Sequence, residues 1–286
     1  MFNSLRRKSR SEKIVFMMVS CLFLVVALSY LYILVWTFIA GTRTHTEIVM
    51  EPFGLPAKWN FAHYLEVWDR LEVNGNGFVQ MLLNSIWFSV IGAFLTQLCS
   101  ATFAYCVSKY TFPGSEWIYT AFVIILTMPL YGSGGAQYAL YHKWGLVDNY
   151  LQILTAYSAL NIYTMYYMAY FKNTSNAYYE AARMDGAQDF QIYFRIMLPQ
   201  AKPIFCSLFL TQWVGVWNSY ESALVYLPNT PTLPVGIYQF NQEMIYQARL
   251  DILFAACFIT VMPALILFIA FNKTITTSVT IGGLKG

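Results

Sequence analysis

From Ile14 to Thr42 the chain carries no charged residue. About 20 apolar residues are enough for a helix to cross the hydrocarbon core of a bilayer. The expected span is therefore Ile14–Ala40, and five more runs repeat the pattern: Phe78–Ser108, Trp117–Tyr138, Tyr150–Phe171, Pro203–Leu227 and Ile252–Phe271. Charges bracket them, as Asp148 and Lys172 do for the fourth and Asp251 and Lys273 for the sixth. In lipid every backbone polar group must be satisfied internally, so only helices and closed barrels cross. Alternating strand patterning is absent, which removes the barrel. The expectation is an all-α integral membrane protein of six transmembrane helices. Arg6, Arg7, Lys8, Arg10 and Lys13 precede the first run like the basic start of a signal peptide. The run outlasts the roughly 7–15 residues of a cleavable apolar segment, so an uncleaved anchor is expected. Pro129 and Pro263 fall inside spans and read as kinks, with hinges the second reading.

Composition agrees. Of the 286 residues, 58% are hydrophobic and 11% charged, against about 25% charged in a typical soluble domain. The net charge of +3 forms no basic stripe, so the expected surroundings are lipid and not nucleic acid. Cys21, Cys99, Cys106, Cys206 and Cys257 lie in apolar stretches without metal-type spacing and read as small packing residues. His45, His63 and His142 are far apart, so no metal site is expected. No GxxxxGK[ST] phosphate loop occurs, and no cluster of acids, bases and nucleophiles shares one membrane depth. A catalytic role is not expected.

Six spans put both termini on one side. That side carries the five basic residues of the N-terminal tail, Lys109, Lys172, Arg183, Arg195, Lys202, Lys273 and Lys285, twelve of the 17 in the chain. Arg43, Lys58, Arg70, Lys143 and Arg249 remain for the other. The excess of Lys and Arg assigns the first side to the cytoplasm. The expected layout is a tail over 1–13, a membrane domain over 14–271 and a second tail over 272–286. The outer connection 41–77 contains Pro52, Pro56 and Asn74-Gly75-Asn76-Gly77, and reads as an ordered cap ending in a turn.

The cytoplasmic loop 172–203 is the longest on its side. Residues Tyr178–Asp185 favour helix, and Ala181 and Ala182 let another surface approach closely. Glu180 and Arg183, three apart, are placed to pair. Gly186 permits a left-handed turn, and a second helix starts near Asp189, an N-cap or first-turn acid. Tyr193, Phe194, Ile196 and Met197 form its apolar side, and Pro199 and Pro203 mark re-entry into the membrane. The alternative is an ordinary amphipathic loop lying on the bilayer surface.

Glu180-Ala181-Ala182, three residues, Gly186, nine residues, Ile196, one residue and Leu198-Pro199 resemble the EAA signature of ABC-importer permeases. Asn84-Ser85, Ala104-Tyr105, Ser108-Lys109-Tyr110, Phe112-Pro113-Gly114, Trp217-Asn218 and the ending Gly282-Gly283-Leu284-Lys285-Gly286 follow in order. Together they resemble the carbohydrate-uptake permeases of the maltose-transporter (MalG-like) type. Ser219 departs from the acid usual there, and Gly283-Leu284 from Ala-Val. The resemblance implies a type I ABC-importer permease fold and a multi-pass subunit of the bacterial cell membrane. It also implies that the loop docks on a cytosolic ATPase through Glu180, Ala181, Ala182, Asp185, Gly186, Ile196, Leu198 and Pro199. The implied partners are a second permease, as a heterodimer, two ATPase subunits that hold the ATP and Mg, and an extracytoplasmic substrate-binding protein. No cofactor is expected on this chain.

Polar side chains within spans mark candidate pathways. Gln212, Asn218 and Glu221 lie in the fifth span, with Asn218 and Glu221 expected on one face. Gln97, Ser158 and Asn161 are further candidates, with interhelical hydrogen bonds the competing reading. Tyr157, Tyr163, Tyr166, Tyr167 and Tyr170 crowd the fourth span. They fit a sugar path and an interfacial aromatic belt equally. The leading functional expectation is import of an oligosaccharide or related sugar. A non-sugar ABC substrate, such as a polyamine or phosphate, is the alternative. An ion-coupled carrier stands behind it, lacking repeat halves or buried charge pairs in the sequence.

Overall fold

A computed structural model describes residues 10–110, 112–128, 134–156 and 159–282. Pro129, Tyr157, Ser158 and the terminal Gly283-Leu284-Lys285-Gly286 lie outside the described residues. In chain order the helices are α1 (Arg10–Ala40), α2 (His45–Met50), α3 (Ala62–Arg70), α4 (Phe78–Lys109), α5 (Ser115–Thr127), α6 (Gly134–Lys143), α7 (Gln152–Ala156) and α8 (Ile162–Asn173). They continue as α9 (Ala177–Met184), α10 (Asp189–Ile192), a π-wound turn (Tyr193–Met197), α11 (Leu198–Gln200), α12 (Lys202–Asn218), α13 (Glu221–Tyr226), α14 (Leu233–Tyr246) and α15 (Leu250–Gly282). Among the described residues the only β pairing is the isolated bridge Val73–Asn76. It closes a turn in which Asn74 (φ 50°) and Gly75 (φ 78°) are both left-handed, the backbone that Asn-Gly adopts readily. The expected turn at the end of the outer connection is present.

Among the described residues three helices are long and apolar enough to cross a membrane: Glu12–Ala40, Phe78–Lys109 and Leu250–Ala270. The other three expected spans are divided. The third comprises α5 and α6, and the fourth α7 and α8. The fifth turns out of helix at Ser219, whose ψ of 119° is extended, before α13 begins. Asn161 caps α8, accepting a bond from the Tyr163 amide at 2.8 Å, and its amide reaches Ser100 Oγ on α4 at 2.8 Å. Hydropathy passes over such a break because a capped end costs little once a side chain satisfies the freed amide. Interrupted helices within a membrane domain require protein or water around the freed groups.

The chain folds as two compact units. The first holds residues up to Leu71 together with Phe240–Val261. Its ring contacts include Trp36–Phe254 (centroids 4.9 Å apart), Phe38–Phe258 (5.0 Å) and Phe38–Tyr64 (5.7 Å). At Gly41 a Cβ would stand 2.9 Å from the Ala255 backbone, so only glycine allows this approach. Arg43, 1% exposed, donates to the carbonyls of Glu47 (2.6 Å), Glu51 (2.7 Å) and Pro52 (3.3 Å). These acceptors lie in and just beyond α2, where helix carbonyls attract cations. Thr44 and Glu47 close a capping box at the other end of α2. The Thr44 amide, as the leading cause, holds the Glu47 carboxyl below its ordinary range. His63 faces Asp251 at 3.3 Å, and Arg249 joins Asp251 to Glu66.

The second unit, Glu72–Gln239 with Met262 onward, is organised on α4, which packs against α8 and α12. One buried apolar cluster joins Ala101, Ala104 and Tyr105 of α4 to Phe122 of α5, Tyr167 and Phe171 of α8, and Ala182, Ile192, Tyr193 and Met197. The loop 172–203 is thus continuous with the core of this unit.

Candidate coupling site

The bracket begins where α8 ends. Thr174 turns extended, and α9 starts after Asn176. Along α9 Ala182 is buried, while Glu180, Ala181, Arg183, Met184 and Asp185 are exposed. Gly186 has φ 80°, and its amide donates to the Arg183 carbonyl at 3.0 Å. The next amide, of Ala187, returns to the Ala182 carbonyl at 3.0 Å. These two bonds form the helix-ending pattern that a left-handed residue permits. The chain reverses and α10 starts at Asp189, a first-turn acid as expected.

Arg183 does not pair with Glu180. Its guanidinium lies 3.4 Å from Asp189 and over the Tyr179 ring, and the Tyr179 hydroxyl donates to Asp189 Oδ1 at 3.0 Å. The left-handed turn brings Asp189 back alongside α9, where it offers a better partner than the neighbour on the same helix. The Tyr179 phenol is raised, first by desolvation and then by this carboxylate. The Glu180 carboxylate makes no ion pair among the described residues, so it is left facing out.

After α10 the backbone widens into the π turn. Pro199 has no amide hydrogen for the carbonyl four residues back. The amide of Leu198, just before it, bonds to Tyr193 five residues back. Such a turn inside a helix rotates the residues beyond it, and it often marks a functional position. Tyr193 and Met197 are buried, whereas Phe194 is 40% exposed. The expected apolar side is therefore split between core and surface.

Ala177, Tyr178, Ala181, Ala182, Asp185, Ala187 and Ile196 line an open groove of about 510 Å³. Ala181, Ala182, Asp185 and Ile196 of the expected docking set thus converge on one surface. Gly186 forms its turn, and Leu198 and Pro199 follow the π turn. Tyr178 in the groove lining is 53% exposed, and Met184 (89%) and Phe190 (73%) are further exposed apolar side chains of the bracket, which on a soluble surface mark an interaction site.

The candidate pathway residues do not converge in this way. Asn218 is exposed and its amide donates to the Val214 carbonyl of its own helix at 2.8 Å. Glu221 opens α13, so the break at Ser219 removes the shared helical face expected for the two. Gln212 is half-buried in α12. Gln97 is buried and accepts from the Tyr167 hydroxyl at 3.0 Å. Gln97 and Asn161 therefore serve as interhelical bonds. Two polar ties escape sequence inspection. Lys109 Nζ donates to the Thr174 carbonyl at 2.6 Å and to Asn176 Oδ1 at 2.7 Å, and the Tyr193 and Thr102 hydroxyls lie 2.8 Å apart. In the sequence Lys109 stands out as the sole basic residue between the second and third apolar runs and within the family-like Ser108-Lys109-Tyr110, but neither feature names its acceptors.

Residues 103–280 match the family of binding-protein-dependent transport system inner membrane components. The chain belongs to this family. The permease is 28% identical to the diacetylchitobiose uptake system permease protein NgcG of Streptomyces coelicolor, over 87% of this chain and 82% of the relative. It is 30% identical to the arabinooligosaccharides transport system permease protein AraQ of Halalkalibacterium halodurans, over 71% of this chain and 73% of the relative. Its fold matches a chain of a bacterial ABC transporter involved in import of the acidic polysaccharide alginate. The TM-score is 0.71 at 24% identity, covering 93% of this permease and 98% of that chain. The permease is therefore a membrane protein with the ABC-importer permease fold, as its sequence led us to expect.

Proposed function

We propose that this permease forms half of the translocation pathway of a bacterial ABC importer for an oligosaccharide and is driven by a cytosolic ATPase docked on the α9–α10 bracket. The observation that carries the reading is the groove on that bracket, lined by Ala177, Ala181, Ala182 and Ala187 together with Ile196 and the exposed Tyr178. Small side chains let another protein's helix approach closely, and apolar neighbours favour its burial. Glu180 stands free for a cationic partner. The oligosaccharide assignment is supported by the relatives, which are named for diacetylchitobiose and arabinooligosaccharide uptake.

In this reading the six apolar runs cross the membrane with both termini in the cytoplasm. The membrane domain covers 14–271, the bracket lies within 172–203, and short tails flank them. A second permease completes the pathway, two ATPase subunits carry ATP and Mg, and a binding protein delivers the sugar. The apolar side chains of α1 are exposed nearly all round, as in a helix meant for lipid or a partner.

Purification of the tagged permease in mild detergent is expected to recover an ATPase and a second permease, identified by mass spectrometry. Glu180→Lys is expected to lose at least about 90% of the ATPase, since reversing a charge against a cationic partner costs more than 1.4 kcal/mol, a factor of ten. Equal ATPase recovery with the variant would reject docking through Glu180.

A further inference from the structure

The bracket is fastened to α4 at two places. The side chain of Lys109, at the last residue of α4, reaches the Thr174 carbonyl at 2.6 Å and Asn176 Oδ1 at 2.7 Å. Thr174 caps the end of α8, and Asn176 immediately precedes α9. The ammonium thus lies at the carbonyl-rich end of α8, where a cation is favoured, and it is half-buried. Charge-assisted bonds of this kind are the stronger class.

The second fastening lies two turns back along α4, about 10 Å at 1.5 Å per residue. Thr102 Oγ1 donates its one hydrogen to the Leu98 carbonyl at 2.7 Å. Its oxygen is left to accept, so the Tyr193 hydroxyl is the donor in the 2.8 Å contact. The Tyr193 ring also rests 4.9 Å from that of Tyr105. One tie holds the bracket where it enters and the other where it leaves. A single tie would act as a pivot, whereas two transmit rotation.

We propose that Lys109, seconded by Thr102 with Tyr193, is a positioning residue that clamps α4 to the coupling bracket. Displacement of the bracket by the ATPase then moves the membrane-crossing α4 directly, besides α8 and α12, to which the bracket is joined through the chain. The proposal rests on the coupling role given above. It assigns Lys109 no contact with the ATPase or with sugar.

The test is hydrogen–deuterium exchange on the whole complex, with and without magnesium and AMP-PNP, which closes an ATPase dimer without hydrolysis. In the wild type, nucleotide is expected to change exchange both in the bracket (177–200) and in the far end of α4 (78–90). Lys109→Met is expected to keep the ATPase bound and the bracket response intact while losing the response at 78–90. Lys109→Arg, which retains charge and donors, is expected to restore it. Tyr193→Phe is expected to lose part of the response, and adding it to Lys109→Met should bring little further loss. A full α4 response in Lys109→Met overturns the clamp. So does a wild type without any response at 78–90, or a Lys109→Met complex that has simply lost its ATPase. Glu180→Lys separates the two claims. If its bracket still responds to nucleotide as in the wild type, the docking reading has failed, whatever Lys109 does.

Discussion

Gly186→Pro is expected to abolish uptake while the permease still inserts into the membrane at its ordinary level. Gly186 holds φ 80°, and the proline ring locks φ near −65°, so the variant cannot make this turn. It also removes the amide that donates to the Arg183 carbonyl at 3.0 Å. Interior clashes and bond loss of this kind cost about 3 kcal/mol or more. The energy falls on the turn, so Asp189 leaves Tyr179 and Arg183 and the groove loses the side formed by Ala187 and Ile196. Gly186→Ala should be milder. No atom beyond its two chain neighbours lies within 4 Å of the position its Cβ would take, leaving only the left-handed strain of about 1–2 kcal/mol. Uptake of labelled oligosaccharide by cells carrying each variant as the only copy, normalised to membrane content by immunoblot, measures both. Proline at wild-type uptake would mean that the bracket's shape does not matter for transport.

Arg43→Met is expected to open the segment 41–61. Its guanidinium satisfies three carbonyls at the end of α2 from a site that is 1% exposed. Methionine fills similar space with no donor: the three carbonyls keep their bonds from the Glu51 amide, the Gly54 amide and the Trp36 indole but lose those from a charged group, a class worth about 1.5–3 kcal/mol. A net loss of about 2 kcal/mol raises the open population roughly 30-fold. Cleavage of a transiently open segment follows that population when closing is fast. Lys58 is exposed within the segment, so cleavage there by a lysine-specific protease, in vesicles that present the segment, should accelerate by about that factor. An unchanged rate would show that Arg43 does not hold the segment closed. Trp36, whose indole also donates to the Pro52 carbonyl at 2.9 Å, offers a control for the same carbonyl.

The bracket was legible because its rules are local. Gly186 as a left-handed turn, Asp189 as a first-turn acid and the alanine surface of α9 all follow from neighbours within a few residues. The pairing of Arg183 was not, because Asp189 competes with Glu180 only after the chain has reversed. Asn218 and Glu221 illustrate the same boundary. Their spacing of three residues places them on one face only in an unbroken helix, and the extended backbone at Ser219 takes that helix away.

By itself, the sequence determined that this protein is helical, lives in a membrane and carries a structured loop over 172–203. Lipid leaves the backbone only helices or closed barrels to satisfy its polar groups, and without alternating strand patterning the barrel falls away; a left-handed glycine declares a turn wherever it lies. Only the tertiary structure decided where the apolar runs break and what the polar residues within them do. The cap at Asn161 is secured by Ser100, 61 positions earlier, and Gln97 by Tyr167, 70 positions later. Lys109 finds its acceptors 65 and 67 residues on. No local pattern encodes such partners, because each is chosen by which polar groups the packed helices leave unsatisfied at the same place.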